Sequence, residues 1–237
     1  MNYYSRRRFN YTLAVCKLLQ RIPEKYGIKN SLVKPAIDFN NFNFYQNKNF
    51  STLSFKFGYI GRIVKEKGLR ELISSLPILK VSYPNVNLVI AGDGKYLEKL
   101  KSLAKKSLVE KNMVLLGEIK ESRKFYEIVD ILVLPSYYEA MPLVLIEAMA
   151  AGTVVVTSNV GCISEIIIDG YNGILLKNIS PESISESVFR LIENKELMIK
   201  YRNNGFETVK NFSITSMVNS FVECMRELQV VNELEEQ

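Results

Sequence analysis

From residue 54 onward, short β-rich runs alternate with helical patterns, and no other feature of the sequence constrains the fold as much. "FKFGYIG" (55–61) reads as a buried strand and is followed by the helical run "KGLRELISSLPILKVSY". "VNLVIAG" (86–92) is a second strand, and "KYLEKLKSLAKKSL" an amphipathic helix with lysines on its wet face. The series continues through "MVLLG" (113–117), helical "SRKFYEIV", "ILVLPS" (131–136), a helix over 142–151, "VVVTS" (154–158) and "GILL" (173–176). Helical segments from Pro181 to about Glu235 close the chain, the last beginning near Phe212. Strands alternating with helices of about 10–15 residues imply right-handed βαβ units. The predicted class is α/β: a Rossmann-like parallel sheet with helices on both faces, plus C-terminal helices.

Residues 1–53 follow a different pattern. "NYTLAVCKLLQRIPEKYGI" predicts one short strand and one helix, and "KPAIDFNNFNFYQNKNFST" has no period and reads as a linker. One strand and one helix bury no core of their own, so the segment either docks on the main domain or is the remnant of a second one. The predicted domains are therefore 1–53, 54–210 and a crossing helix and tail at 211–237.

Charge is just as uneven. Residues 1–50 hold nine Lys and Arg against Glu24 and Asp38, whereas the rest of the chain holds 22 basic and 23 acidic residues. A basic segment of this kind suits an anionic membrane surface, nucleic acid or an acidic partner, or is simply a solvated face. Nucleic-acid binding ranks lowest, because the excess does not extend into the predicted sheet. No window approaches ~18 consecutive apolar residues, and the N-terminus lacks the sustained apolar core of a signal peptide. Cys16, Cys162 and Cys224 are odd in number and widely spaced. That suggests a reducing compartment, and neither a disulfide framework nor a metal site. The expected location is cytoplasmic, with peripheral contact at the inner membrane face through the basic segment.

The chain contains no histidine. Ser-His and Cys-His nucleophile pairs, His-based zinc sites and the commonest general base are thereby excluded. Any chemistry must use carboxylates, Lys, Arg, Tyr and backbone amides.

In open parallel sheets, ligands bind beyond the carboxyl ends of the strands, where helix N-termini present free amides. Four segments fall at such ends. In "GYIGRIVKEKG" (58–68), Gly58 and Gly61 permit close backbone approach, and Arg62 and Lys67 supply positive charge suited to a diphosphate; a plain glycine turn with surface cations is the competing reading. "AGDGKYLEKL" (91–100) is a tight βα turn without the third glycine of a dinucleotide fingerprint, which places a dehydrogenase behind other enzyme classes. In "LLGEIKESRKFYEIVDILVLPS", Gly117 ends a strand, and Tyr126 and Asp130 are assigned to core and capping. The fourth, "YYEAMPLVLIEAMAAG" (137–152), has Pro142 suited to a first helical position and Gly152 to the place just past the end. Glu139 then precedes the helix and Glu147 lies one to two turns inside it, with free amides between them ready for phosphate. Diphosphate, ribose and hexose are the groups such a set would bind; two structural carboxylates are the alternative.

"GRIVKEKG", "IAGDG", "LVLPSYYEAMPLVLIEAMAAG" and "EIIIDGYNGILL", in this order and spacing, resemble the C-terminal donor-binding domain of the retaining GT-B glycosyltransferases of family four, one half of the GT-B fold. The resemblance covers residues 54–210, and E-x7-E is its best-known mark. It implies that Glu139 contacts the donor sugar, Glu147 the ribose hydroxyls, and Arg62 and Lys67 the diphosphate. Gly61 and the amides of Leu143 and Val144 are further diphosphate neighbours, and the base lies near the Gly117–Ile119 loop. Glu139, Arg62 and Lys67 are the catalytic candidates, and the implied ligand is a UDP- or GDP-linked sugar with no metal or other cofactor.

The chain also departs from the family. Ala140-Met141 stands where the family usually has Gly-Phe, Val154 where it has Pro, and "GCISE" (161–165) where it has Gly-Gly-x-Pro-Glu. "LAVCKLLQRIPEKYGI" resembles the last strand and helix of the family's N-terminal acceptor domain, and "LVKPAIDFNNF" its exit linker. The resemblance therefore implies that most of that domain, with the family's active-site histidine, lies outside this chain, and that an acceptor domain acts in trans as a separate polypeptide. A non-catalytic sugar-nucleotide-binding domain or an inactive fragment is the alternative.

Overall fold

The computed structural model describes residues 11–42 and 55–235. The arginines at positions 6–8 of the basic segment, and most of the expected linker at 43–54, lie outside the described residues. The chain divides into two compact units, one formed by residues 1–38 with 210–237 and the other by residues 39–209.

In the first unit, β1 (Tyr11–Ala14), α1 (Lys17–Glu24) and β2 (Lys29–Leu32) make a parallel βαβ element with Tyr11 opposite Lys29. The sequence predicts β1 and α1 and misses β2, because "KNSL" has no apolar alternation. Parallel pairing requires a crossover, and α1 supplies it. The long helix α8 (Ile214–Glu235) belongs to the same unit, where Cys224 Sγ lies 3.6 Å from the Tyr11 hydroxyl. The chain enters α8 beside Ile37, whose amide donates to the Phe212 carbonyl at 3.0 Å, and Lys34 lies over the Phe212 ring.

The second unit contains all six strands predicted after residue 54: β3 (Lys56–Ile60), β4 (Asn87–Ala91), β5 (Met113–Gly117), β6 (Ile131–Leu134), β7 (Val154–Ser158) and β8 (Ile174–Leu176). They form one parallel sheet in the order β5-β4-β3-β6-β7-β8. β6 and β7 are buried at every residue, as strands covered on both faces must be, whereas edge strand β5 is partly exposed. The connecting helices are α2 (Leu69–Ser82), α3 (Leu97–Lys106), α4 (Ser122–Ile128) and α5 (Leu143–Ala150), followed by α6 (Pro181–Ile192) and α7 (Lys195–Val209). α6 starts as its sequence dictates: Ser180 caps it by accepting from the Ser183 amide, and Pro181 occupies the first turn. Gly205 allows α7 to approach α5, since a Cβ there would lie 3.0 Å from Met149 Cγ. Among the described residues no helix is long and apolar enough to cross a membrane.

Two local expectations change. Pro142 is the residue before α5 and not its first helical residue. Gly58 sits in the middle of β3 and admits core packing, not a ligand: a Cβ there would lie 2.7 Å from the Val89 carbonyl oxygen and 2.9 Å from the Phe125 ring. Gly58→Ala is therefore expected to lower unfolding free energy by about 1–3 kcal/mol, the cost of overpacking a core. Urea denaturation measures this, and an unchanged midpoint would contradict it.

Candidate functional site

The strand order reverses at β3. The chain leaves β3 toward β4 on one side, and returns to pair β6 on the other. The loops after β3 and β6 therefore diverge, and in sheets of this kind ligands occupy the crevice at that point. Backbone hydrogen bonds join the loops along this rim. Gly92 N donates to Gly117 O at 2.6 Å, Gly61 N to Ala91 O at 3.0 Å and Ile63 N to Asp93 O at 2.7 Å. On the other side, Tyr137 N donates to Glu66 O at 2.8 Å and Cys162 N to Ala140 O at 3.1 Å.

The glycines of the rim are there for close approach. Gly161 has φ +59°, and a Cβ would lie 1.8 Å from the Glu139 carbonyl oxygen. Gly68 (φ +67°) stands in the same relation to the Pro135 carbonyl, at 1.9 Å. Both contacts press the loop that carries Glu139 against its neighbours, and no side chain fits between them.

Glu139 and Lys67 meet across the crevice. Lys67 Nζ lies 2.6 Å from Glu139 Oε1, and the Ser136 hydroxyl donates to the same oxygen at 2.7 Å. Their side chains are only 16% and 9% exposed, so the pair is shielded and neither charge can be removed without leaving the other uncompensated. Nearby Tyr59 donates its hydroxyl to the Arg62 carbonyl at 2.8 Å and so fixes the turn after β3. Burial, and then the Glu139 charge, hold the Tyr59 phenol above its usual range. Arg62 itself is exposed, and Gly61 is half-buried with φ +144°.

Glu147 is held differently. It lies on α5, two-thirds of the way along the helix, and its Oε2 accepts from the Tyr126 hydroxyl at 3.0 Å. The nearby Ser122 hydroxyl also favours the charged form. Burial raises the Glu147 carboxyl above its ordinary 4.5, while the two hydroxyls pull it down. At the start of α5, no side chain caps the first amides of Leu143 and Val144, which leaves the positive end of the helix facing the rim.

Of the residues singled out in sequence, the structure thus brings Lys67 and Glu139 into direct contact. Gly61, Arg62, Leu143 and Val144 fall on the same two loops and helix start, and Glu147 on the same helix. Gly117 ends β5, two strands away from β3, and its φ of +68° is a turn requirement, since a Cβ there would meet nothing. Sequence reasoning missed Ser122, Tyr126 and Ser136. The spacing of Ser122 and Tyr126, four residues apart on one helical face, was the available signal. Asn172 of the "DGYNG" turn is structural: buried, it donates to the Ile166 carbonyl and to Thr208 and accepts from the Ile168 amide.

Fold and site together define a Rossmann-like α/β domain whose switch-point crevice is lined by an ion pair, a second carboxylate and an uncapped helix start. The glycosyl transferases group 1 profile matches residues 41–208, and the chain belongs to that family. It is 38% identical over 138 residues to an uncharacterized glycosyltransferase of Methanocaldococcus jannaschii, covering 57% of this chain and 35% of the relative. It is 31% identical over 181 residues to the capsular polysaccharide biosynthesis glycosyltransferase CapM of Staphylococcus aureus, covering 71% and 47%. The chain thus spans about half or less of the length of these relatives. HepE of Anabaena, solved with UDP, superposes with a TM-score of 0.82 at 19% identity, over 92% of this chain and 64% of that one. The C-terminal domain of the group 1 protein LpcC of Francisella tularensis superposes with a TM-score of 0.63 at 27% identity, over 77% and 96%. The fold is that of GT-B glycosyltransferases.

The Glu147 carboxyl gives a pH test. The folded chain holds its proton more readily than the unfolded chain does, so burying this group costs nothing below about pH 4.5 and destabilises the fold as pH rises through the raised midpoint. Glu147→Gln is expected to be more stable than the wild type at neutral pH, with the difference vanishing below pH 4.5. Urea melts across that range measure it, and a difference independent of pH would contradict it.

Proposed function

We propose that this chain is the donor-binding part of a hexosyltransferase that takes a sugar from a nucleoside diphosphate sugar and transfers it with retention. The observation that carries the reading is the Lys67–Glu139 pair at the switch point. Without a donor, the two charges neutralise each other. An arriving diphosphate supplies Lys67 with a new anion, and the sugar supplies Glu139 with hydroxyl donors, so the pair opens without stranding either charge. Arg62, as a planar fork, and the amides of Gly61, Leu143 and Val144 complete the diphosphate site. Glu147 takes the ribose hydroxyls, and the loop after Gly117 lies beside the base.

Catalysis on this reading is electrostatic. The groups around the diphosphate stabilise the charge of the leaving nucleotide, and Glu139 the oxocarbenium-like sugar. Fixed cations and amides supply the positive charge, so the reading needs no metal. HepE solved with UDP-glucose and pneumococcal GtfA solved with UDP and GlcNAc support a nucleotide sugar as the ligand class. The acceptor would be held by a domain outside residues 39–209. The basic N-terminal segment would contact the inner face of the membrane.

Calorimetric titration with UDP, GDP and their hexose conjugates tests the reading. Glu147→Ala is expected to weaken binding by about 1.5–3 kcal/mol, the range for a hydrogen bond to a charged group. Unchanged affinity in the variant would remove Glu147 from the ribose role, and no binding by the folded wild type would leave the non-catalytic or inactive alternative.

A further inference from the structure

The two carboxylates of the site are stabilised by opposite means. Glu139 faces a cation, whereas Glu147 accepts from the neutral hydroxyl of Tyr126 on α4. Ser122 and Tyr126 stand one turn apart on that helix, and therefore on one face. Tyr126 is fully buried, and its ring is fixed by edge contacts with Phe125 at 5.4 Å and with Phe42 at 6.0 Å between centroids. Phe42, itself buried, ends the 3-10 turn Phe39–Phe42. The hydroxyl has one proton and, among the described residues, reaches Glu147 Oε2 at 3.0 Å and the Val144 carbonyl at 3.1 Å. The charged acceptor makes the stronger bond.

We propose that Tyr126 is a positioning residue for the nucleotide site: its hydroxyl fixes the Glu147 carboxylate in place, and Phe42 fixes the tyrosine ring. The inference rests on the reading of Glu147 as the ribose ligand. A carboxylate meant to accept hydroxyl hydrogen bonds must be ionised, and its oxygens must be aimed before the ligand arrives. A cation would achieve this by neutralising the charge. A neutral hydroxyl holds the group and leaves its charge for the ligand. The phenol is suited to the task because burial, and then the Glu147 charge, hold it well above its usual range, so it remains a donor. Burial raises the Glu147 carboxyl, and the Tyr126 and then the Ser122 hydroxyl, both on α4, act against it.

The test uses the full chain and two readouts. Carbon-13 carboxyl NMR follows the Glu147 titration, its signal assigned by its loss in Glu147→Gln. Tyr126→Phe keeps the ring and its packing, and is expected to raise the Glu147 midpoint; Ser122→Ala, on a half-exposed residue, shifts it in the same direction. Calorimetry with UDP and GDP is then expected to show affinity about tenfold weaker in Tyr126→Phe at neutral pH. The rise of affinity with pH is expected to move upward with the midpoint. A merely structural tyrosine would lower affinity equally at every pH. An unmoved Glu147 midpoint in both variants overturns the proposal. A moved midpoint in a chain whose wild type binds neither nucleotide overturns the ribose reading instead, and leaves the hydroxyl clamp in place.

Discussion

The reversal of strand order at β3 is the constraint on which the site depends. Had β6 been added beyond β5, the loops after β3 and β6 would lie at opposite ends of the sheet, and Lys67 could not reach Glu139. Placing β6 against β3 sets the two loops on either side of one crevice. It also directs the start of α5 toward the same rim. The rim glycines follow from this placement: Gly68 and Gly161 admit carbonyls at distances that no Cβ would permit, because two loops must share the space above adjacent strands.

Charge burial divides the crevice into two parts. Lys67 and Glu139 are shielded as a pair, an arrangement that lasts only while both remain or a ligand replaces one of them. Glu147 is buried at a cost that the Tyr126 hydroxyl only partly offsets, so its carboxyl is raised. A carboxyl kept buried at such a cost is a candidate for a functional role. The proposed nucleotide sugar would satisfy both parts, with its anionic portion at Lys67 and its hydroxyls at the glutamates.

Much of this was legible in the sequence. Apolar runs and turn residues place all six strands of the second unit within a residue or two, because the central strands, buried on both faces, are continuous in composition and edge strand β5 is apolar although partly exposed. β2 was not legible, since "KNSL" pairs through its backbone and has no apolar pattern to declare it. Lys67 and Glu139 were visible as motif members, but their ion pair depends on sheet order, which no local pattern encodes. Gly58 was misassigned because close approach looks the same in sequence whether a ligand or a phenylalanine ring arrives. Tyr126 was hidden for a related reason: a tyrosine on an amphipathic helix reads as core, and only its hydroxyl, reaching a carboxylate on another helix, separates it from the rest.

A crystal structure of the chain with a bound nucleoside diphosphate sugar, soaked with UDP- and GDP-linked hexoses in turn, tests the central claim most directly. The account predicts the diphosphate at the start of α5, with Lys67 moved from Glu139 to a phosphate oxygen and Glu147 on the ribose hydroxyls. A nucleotide bound away from the crevice between β3 and β6, or one seated there with the Lys67–Glu139 pair intact, would contradict it.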